Sequence, residues 1–193
     1  MADEATLVQQ VKAGAEGAFD RLVGPHLARA YRTACLITQQ EELARDALQE
    51  ALVRAYLSLG RFRPGSPFYA WFVRIVVNEA IRQSRRGRRE PALPLPEPVD
   101  PSGPEARLLA LEERRELWAA IGELSADHRT VIVLRYFEEF SEAEMAAVLG
   151  VSPGTVKSRL NRARRALEQR LSRTQSPQPA IAPLGAQGGI AHE

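Results

Sequence analysis

The sequence predicts an all-α protein made of two small helical domains joined by a flexible, proline-rich linker, the second containing a helix-turn-helix. Three observations support this fold class. Apolar residues recur at spacings of three and four in both halves, which is typical of helices with one buried face. Six prolines interrupt residues 90–104, "EPALPLPEPVDPSGP". Residues 141–171 carry the start and stop signals of two helices joined by a tight turn.

Composition limits the class of protein. The chain has 193 residues, a net charge of +2, and 24 arginines among its 26 basic residues. Arginine suits phosphates and base edges, although an arginine-rich genome would explain the same bias. The single cysteine, Cys35, lies in the apolar run "ACLI" and is expected to be a buried thiol rather than a nucleophile. Because no run of ~18 apolar residues occurs, the chain is expected to be soluble and cytoplasmic, with no membrane insertion.

The proline-rich segment sets the domain boundaries. Proline lacks an amide donor and fixes its own backbone, so such a run predicts an extended tether rather than part of a core. The predicted units are a first domain at 1–90, a linker at 91–104, a second domain at 105–171 and a disordered tail at 172–193.

Residues 43–59 of the first domain predict an amphipathic helix. Its apolar positions are Leu43, Ala47, Leu48, Ala51, Leu52, Ala55, Tyr56 and Leu59. Its polar positions are Glu42, Asp46, Gln49 and Glu50, which are neighbours because they are three or four residues apart. An acidic face in a domain that ends in clustered arginines indicates two different partners, although a merely solvated face fits the same pattern.

Residues 61–89, "RFRPGSPFYAWFVRIVVNEAIRQSRRGRR", place aromatic residues beside arginines. A loop, "RPGSP", leads into a predicted helix in which Trp71, Arg74, Asn78 and Arg82 share one face. Such a face suits base stacking, at roughly 1–3 kcal/mol per base, together with phosphate binding. The alternative is a tryptophan at the edge of the core with solvated arginines around it.

The second domain predicts a helix-turn-helix. Ser141 and Glu144 form a capping-box pattern, and Gly150 stands where a helix can end in a left-handed residue. Ser152 is expected to cap the next helix, with Pro153 at its first position. The buried stripe of that helix is predicted to be Val156, Leu160, Ala163, Leu167 and Leu171. A basic second helix with short polar residues near its start is typical of major-groove recognition; a structural helical hairpin is the alternative.

One segment is ambiguous. Residues 130–137, "TVIVLRYF", are β-branched and aromatic enough for a strand. Because the flanking segments are helical, we predict a buried helix.

The order of these segments resembles the sigma-70 family of bacterial RNA polymerase sigma factors, in its extracytoplasmic-function (ECF, group IV) class. The matching stretches are "AFDRLVGPHLARAYRTA", "LARDALQEALVRAY", "FRPGSPFYAWFVRIVVNEAIRQSRRGRR" and "LSADHRTVIVLRYFEEFSEAEMAAVLGVSPGTVKSRLNRARRAL". They cover about residues 16–171 in the family's order.

The resemblance implies a function for each surface of the first domain. Asp46, Gln49 and Glu50 would bind core RNA polymerase, while Arg45 stands where many members carry glutamate. The first domain would also bind the melted −10 element, where the loop captures a flipped base and unstacking costs a few kcal/mol. The implied −10 contacts are Arg63, Ser66, Phe68, Tyr69, Trp71, Arg74, Asn78, Arg82, Arg85 and Arg86, with Arg88 and Arg89 also holding the backbone.

The second domain would recognise the −35 element as duplex DNA. The candidates are Ser152, Thr155, Lys157, Ser158, Arg159, Asn161, Arg162 and Arg165. Arginine pairs with guanine and asparagine with adenine, at ~1–3 kcal/mol of discrimination per pair. The implied partners are the β and β′ subunits of core polymerase, promoter DNA and an anti-sigma factor. The linker would cross the polymerase near the RNA path.

The sequence therefore predicts a promoter-specificity factor for transcription initiation that is not an enzyme. No catalytic residues, metal ligands or cofactor are predicted, since His26, His128 and His192 have no evident sequence partners. Two alternatives stay open: a free-standing helix-turn-helix regulator, and a decoy that sequesters regulators of sigma factors.

Overall fold

The computed structural model describes residues 3–63, 65–86 and 116–174, with side chains up to residue 172, and every regular element in those ranges is helical. The predicted all-α class is confirmed. The linker predicted at 91–104, together with Arg88 and Arg89, lies outside the described residues, as does most of the predicted tail. The elements of the first half are α1 (Glu4–Lys12), α2 (Ala18–Thr38), α3 (Glu41–Ser58), a short 3-10 turn (Leu59–Arg61) and α4 (Phe68–Arg86).

The described part of the second half contains four helical segments. They are α5 (described over 116–122), α6 (Ala126–Tyr136), α7 (Glu142–Leu149) and α8 (Pro153–Thr174). The ambiguous stretch from Thr130 falls in α6, where residues 130–134 are buried, so the prediction of a buried helix is confirmed. Helix α8 continues three residues past the predicted end of the second domain at Leu171.

The first half packs around a row of small residues on α3. The row consists of Ala44, Ala47, Ala51 and Ala55, all 0% exposed. Small side chains let helices approach closely, and α3 contacts both α2 and α4. Tyr56 was predicted on the buried face but is 56% exposed. It lies at the margin of the alanine row, where its ring meets Phe19 edge-on at 5.3 Å between centroids.

The start and stop signals of the second half form as predicted. Ser141 and Glu144 make the reciprocal capping box, and Gly150 ends α7 with a φ of 66°. The Ser152 hydroxyl accepts the Thr155 amide at 3.2 Å, which caps α8. On α8 itself, Val156, Leu160 and Ala163 are buried, while Leu167 and Leu171 are half-buried. The predicted stripe is thus complete in its first three turns and loosens toward the end.

The two halves also pack on each other. Helix α6 contacts α2 and α4, and α7 contacts α4. The buried apolar residues of both halves form one continuous cluster. In this arrangement the helix-turn-helix lies against the helix that carries the aromatic and arginine-rich stretch.

Candidate nucleic-acid interface

Helix α4 separates its apolar and polar residues as predicted. Phe72, Val73, Val76, Val77 and Ala80 are all 0% exposed. On the opposite face Arg74 and Asn78 are exposed, and Trp71 is half-buried. The Trp71 ring contacts Phe62 at 5.3 Å and Phe68 at 5.7 Å between centroids. These contacts anchor the indole, which also lines a cavity together with Arg74.

Phe68 is not part of this exposed face. Its side chain is 0% exposed and its ring stacks on Phe72 at 5.8 Å between centroids. A fully buried ring cannot contact a base, so the predicted direct contact of Phe68 with the −10 element is wrong in this arrangement. The periodicity of the helix explains the difference, because Phe68 lies four residues before Phe72 on the core side.

The loop before α4 is held by the first helix, α1, a connection that sequence reasoning missed. Lys12 Nζ donates to the Phe62 carbonyl at 3.1 Å. Glu4 accepts the Phe68 amide at 3.4 Å through one oxygen and lies 3.2 Å from His26 Nε2 through the other. His26 therefore has a partner that its sequence neighbours did not indicate. Between these contacts the loop keeps Arg63 and Ser66 exposed.

Two carboxylates hold Arg82 near the end of α4. Glu79, only 4% exposed, lies 2.7 Å from Arg54 Nε and 2.5 Å from Arg82 Nη2. Arg82 Nη2 also lies 3.6 Å from Glu50 Oε2. A residue predicted to bind polymerase thus lies within ion-pair distance of one predicted to bind DNA.

The acidic face of α3 is open to solvent. Asp46, Gln49 and Glu50 are exposed on successive turns, with Glu42 beside them. Arg45, also exposed, pairs with Glu41 one turn earlier. Two large apolar residues, Val53 (58% exposed) and Leu57 (77% exposed), extend the same surface. An exposed acidic and apolar surface of this kind suits a protein partner.

Helix α8 exposes its polar side. Ser152, Lys157, Ser158, Asn161, Arg162 and Arg165 are exposed, and Thr155 is half-buried beside Ser152. Ser158 donates to the Thr155 carbonyl at 2.9 Å, which turns its hydroxyl back to the helix. The remaining long side chains project from the first four turns. This geometry allows entry into a DNA groove.

Asp127 joins the two candidate DNA surfaces. One of its oxygens lies 2.8 Å from Arg85 Nη2 on α4, and the other lies 3.1 Å from Arg159 Nη2 on α8. Beside it lies a cavity of about 440 Å³, lined by arginines of both halves. The Asp127 carboxylate therefore pairs both with Arg85, a predicted −10 contact, and with Arg159, a predicted −35 contact.

Glu138 makes a second connection between the halves. It is 4% exposed and lies against three residues of the first half. One oxygen contacts the Thr33 hydroxyl and accepts the Tyr69 hydroxyl at 3.0 Å. The other oxygen lies 2.9 Å from Arg29 Nη2. Burial, and then the Glu138 carboxylate, raises the pKa of Tyr69 well above its usual value. The phenol therefore stays protonated and donates.

Arg129 completes the interface between the halves. It is 6% exposed, and its Nε donates to the Ile37 carbonyl of the first half at 2.8 Å. Its Nη2 donates to the Ser84 hydroxyl at 3.3 Å, and its Nη1 to the Gly122 carbonyl at 2.8 Å. In this packed arrangement the buried guanidinium links the halves, because its acceptors lie in both of them.

Two further observations concern metal sites and membrane spans. Among the described residues, no three histidine, cysteine or acidic side chains are grouped so as to hold a metal ion. Within the same residues, no helix is long and apolar enough to cross a membrane. What the geometry does offer is an acidic surface on α3 and two cationic surfaces on α4 and α8.

Comparisons with known proteins identify a family for each half of the chain. Residues 22–90 match the family described as "Sigma-70 region 2", and residues 114–167 match the family described as "Sigma-70, region 4". The chain is 34% identical over 177 residues to the RNA polymerase sigma-H factor of Pseudomonas aeruginosa, covering 86% of this chain and 92% of that protein. It is 36% identical over 168 residues to the ECF RNA polymerase sigma factor SigM of Mycobacterium tuberculosis, covering 87% and 84%.

Solved structures are similar over most of the chain. CnrH, in complex with the cytosolic domain of CnrY, superposes with a TM-score of 0.63 at 30% identity, covering 88% of this chain and 97% of that one. The sigma factor RpoE of Bartonella quintana, in complex with the anti-sigma factor NepR, superposes with a TM-score of 0.63 at 27% identity, covering 81% and 98%.

Proposed function

This chain belongs to the sigma-70 family of bacterial RNA polymerase sigma factors, in its extracytoplasmic-function group, and we propose that it directs core polymerase to a set of promoters. One observation carries the proposal: the acidic and the cationic surfaces lie on separate helices. A protein partner and a nucleic acid can therefore be bound at the same time.

Core polymerase binds the acidic face of α3 in this proposal. Asp46, Gln49 and Glu50 are exposed together and continue into the exposed apolar residues Val53 and Leu57. Exposed charges steer association and set specificity, while buried apolar side chains contribute most of the affinity. The β and β′ subunits are the proposed partners.

The −10 element binds along α4 and the loop before it. Trp71 offers part of an aromatic ring, and Arg74 and Asn78 lie on the same exposed face. Base–aromatic stacking of roughly 1–3 kcal/mol per base offsets the cost of unpairing. Arg63, Ser66, Tyr69, Arg82, Arg85 and Arg86 complete the proposed contacts.

The −35 element binds α8 in the major groove. Lys157, Asn161 and Arg162 project from its exposed face near the start of the helix, where recognition helices contact base edges. Ser152, Thr155, Ser158, Arg159 and Arg165 are proposed to contact bases or phosphates around them. Because Arg159 is paired with Asp127, its DNA contact requires that ion pair to break.

An anti-sigma factor is the proposed regulator. Two similar solved structures are complexes, one of CnrH with the cytosolic domain of CnrY and one of the sigma factor RpoE with the anti-sigma factor NepR. We extend this mode of control to the present chain, acting in the bacterial cytoplasm. The chain has no catalytic role of its own in this proposal.

In vitro transcription with purified core polymerase tests the proposed function. Genomic fragments transcribed only when the chain is added should yield discrete start sites that share −35 and −10 elements. A free-standing regulator would bind DNA without recruiting core polymerase, and a decoy would bind neither. Absence of chain-dependent transcripts, despite a folded chain, would contradict the proposal.

A further inference from the structure

Three hydrogen-bond or ion-pair donors of the first half surround the Glu138 carboxylate. Arg29 and Thr33 lie one turn apart on α2, and Tyr69 lies on the first turn of α4. All three belong to the first half, whereas Glu138 is 105 residues from Thr33 and 69 residues from Tyr69 in sequence. The first half therefore supplies an anion-binding site, and the second half supplies the anion.

The site is organised by contacts of its own. The Arg29 guanidinium lies over the Tyr69 ring, 4.5 Å from its centroid, and its side chain is 53% exposed. Thr33 Oγ1 also lies within hydrogen-bond distance of the Arg29 carbonyl, at 3.0 Å. These contacts lie within the first half and do not depend on Glu138. The donors can thus remain in place if the halves separate.

Glu138 occupies this site at a desolvation cost. Its Oε2 is buried and lies 2.9 Å from Arg29 Nη2, while its other oxygen meets the Thr33 and Tyr69 hydroxyls. Taking a carboxylate out of water offsets much of what its ion pair contributes, and this cost weakens the closed arrangement. A ligand that meets the same donors while its other oxygens stay in water would avoid much of that cost.

The surrounding interface indicates which ligand. Along the same contact between the halves, Asp127 pairs with Arg85 and Arg159, which are proposed DNA contacts. A cavity of about 420 Å³ separates Trp71 and Arg74 from Phe140 and Val148 of the second half. The covered surface of the first half is therefore aromatic and cationic, which is the chemistry that binds single-stranded nucleic acid. Phe140, which lines this cavity, is two residues from Glu138, so the Glu138 site belongs to the same contact between the halves.

We propose that Arg29, Thr33 and Tyr69 form a binding site for a backbone phosphate of promoter DNA, which Glu138 occupies while the two halves are packed together. The inference rests on the proposed function and adds a regulatory step to it. DNA and the Glu138 carboxylate compete for the same donors, so the closed chain binds DNA less well than the open chain. Separation of the halves exposes the phosphate site.

The test compares Arg29→Ala and Glu138→Gln in the full chain. Because a phosphate contact is independent of sequence, a dye-labelled, mixed-sequence single strand of about 20 nucleotides serves as the probe, titrated by fluorescence anisotropy between about 50 and 200 mM salt. Arg21→Ala is the matched control, since Arg21 is an exposed arginine of the same helix that donates to Gln10. Small-angle scattering of each variant reports separation of the halves, and circular dichroism reports folding.

Both variants should open the chain, but their effects on DNA binding should have opposite signs. Glu138→Gln should tighten binding by more than about twofold, because it raises the open population. Arg29→Ala should weaken binding by about fivefold near 0.1 M salt and reduce the salt slope by about 0.7, which corresponds to one lost phosphate contact on a single strand. Arg29→Lys should restore most of the affinity.

Three results would overturn the inference. Tighter DNA binding by both Arg29→Ala and Glu138→Gln would show that Glu138 only holds the halves together. Equal affinities of Arg29→Ala and Arg21→Ala would remove the phosphate site. If Arg29→Ala lowered the affinity for a polyglutamate peptide and left DNA binding unchanged, the site would bind an acidic protein instead of DNA. A failure of the proposed function is separate, since it would appear as absent transcription whatever the Arg29 result.

Discussion

The two proposed DNA-contacting surfaces differ in how much of each the rest of the chain covers. On α8, Lys157, Asn161, Arg162 and Arg165 are exposed, and only Arg159 of the proposed −35 contacts forms an ion pair with the other helices described. On α4, Tyr69 and Arg85 are held by carboxylates of the second half, and Trp71 and Arg74 face it across a cavity.

The difference indicates an order of events. In the closed arrangement the proposed −35 surface is largely open, while Tyr69 and Arg85 of the proposed −10 surface are held by the second half. Under the proposed function, duplex recognition by α8 would cost one ion pair, whereas full use of the −10 surface would require the halves to separate. Polymerase favours that separation only if it binds the open chain more tightly than the closed chain. The proposed docking surface on α3 is already exposed in the closed chain.

The largest expected effect comes from removing the proposed polymerase-docking surface on α3, which shows whether the two DNA surfaces can support transcription without it. Charge reversal at Asp46 and Glu50 should abolish binding to core polymerase and all chain-dependent transcription, because it places two cations at the proposed docking surface. A pull-down with core polymerase measures the binding. Reversal at Glu16 and Asp20, two exposed acids distant from α3 in sequence, serves as the control. Retained binding in the α3 variant would exclude α3 as the docking surface.

The next effect separates the core of the first half from its DNA-facing surface. Phe68→Ala should lower the free energy of unfolding by about 3–5 kcal/mol, because it opens a cavity under the loop. Trp71→Ala should cost less stability, because the indole is half-buried, but it should impair promoter opening. Thermal melts and transcription from duplex and pre-melted templates distinguish the two.

Rescue is the deciding observation for this pair. A pre-melted template should restore activity to Trp71→Ala, since strand separation is already complete, and should not restore an unfolded Phe68→Ala. If neither variant is rescued while both remain folded, Trp71 acts at a step other than opening.

A smaller effect tests the open surface on α8. Arg162→Ala should weaken promoter binding by about 1–3 kcal/mol and relax preference at one −35 position. Arg164→Ala is the matched control, because the Arg164 Nε donates to the Tyr136 hydroxyl at 2.9 Å and its guanidinium is directed at that ring. A uniform loss across all −35 sequences would assign Arg162 to a phosphate instead of a base.

The smallest effect concerns the helix that lies against α4. Hydrogen bonds from the Ser141 side chain, and then from its backbone, lower the pKa of Glu144. A lowered folded-state pKa means that the stabilisation is present above the ordinary carboxyl range and is lost as the pH falls through it. Melting temperatures measured from neutral to acid pH should therefore fall more in the parent chain than in Ser141→Ala. Parallel curves would show that the Ser141 side chain contributes nothing measurable to the pH dependence of stability.

Local signals allowed α7 and α8 to be predicted nearly residue by residue. The serine caps, Gly150 and the apolar stripe act over three or four residues, so they depend little on the rest of the chain. The exposed face of α8 follows from the same periodicity, since a helix with one buried stripe presents the remainder to solvent.

The first half was less predictable because several helices contribute to its core, so the burial of a residue depends on contacts outside its own helix. Periodicity identified the buried face of α4, yet it could not show that Phe68 belongs to the core while Trp71 lies at its edge. On α3 it placed Tyr56 inward, although the close alanine packing leaves that ring outside.

The sequence by itself determined the helical class, the caps, the helix-turn-helix and the separation of acidic from cationic surfaces, because these depend on residues close together in the chain. Only the tertiary structure decided the partners of Glu138, Asp127 and Arg129, which join elements far apart in sequence. A carboxylate in a loop gives no local sign of whether it is solvated or buried against a cation. That outcome depends on which helices meet and on the balance between desolvation and pairing.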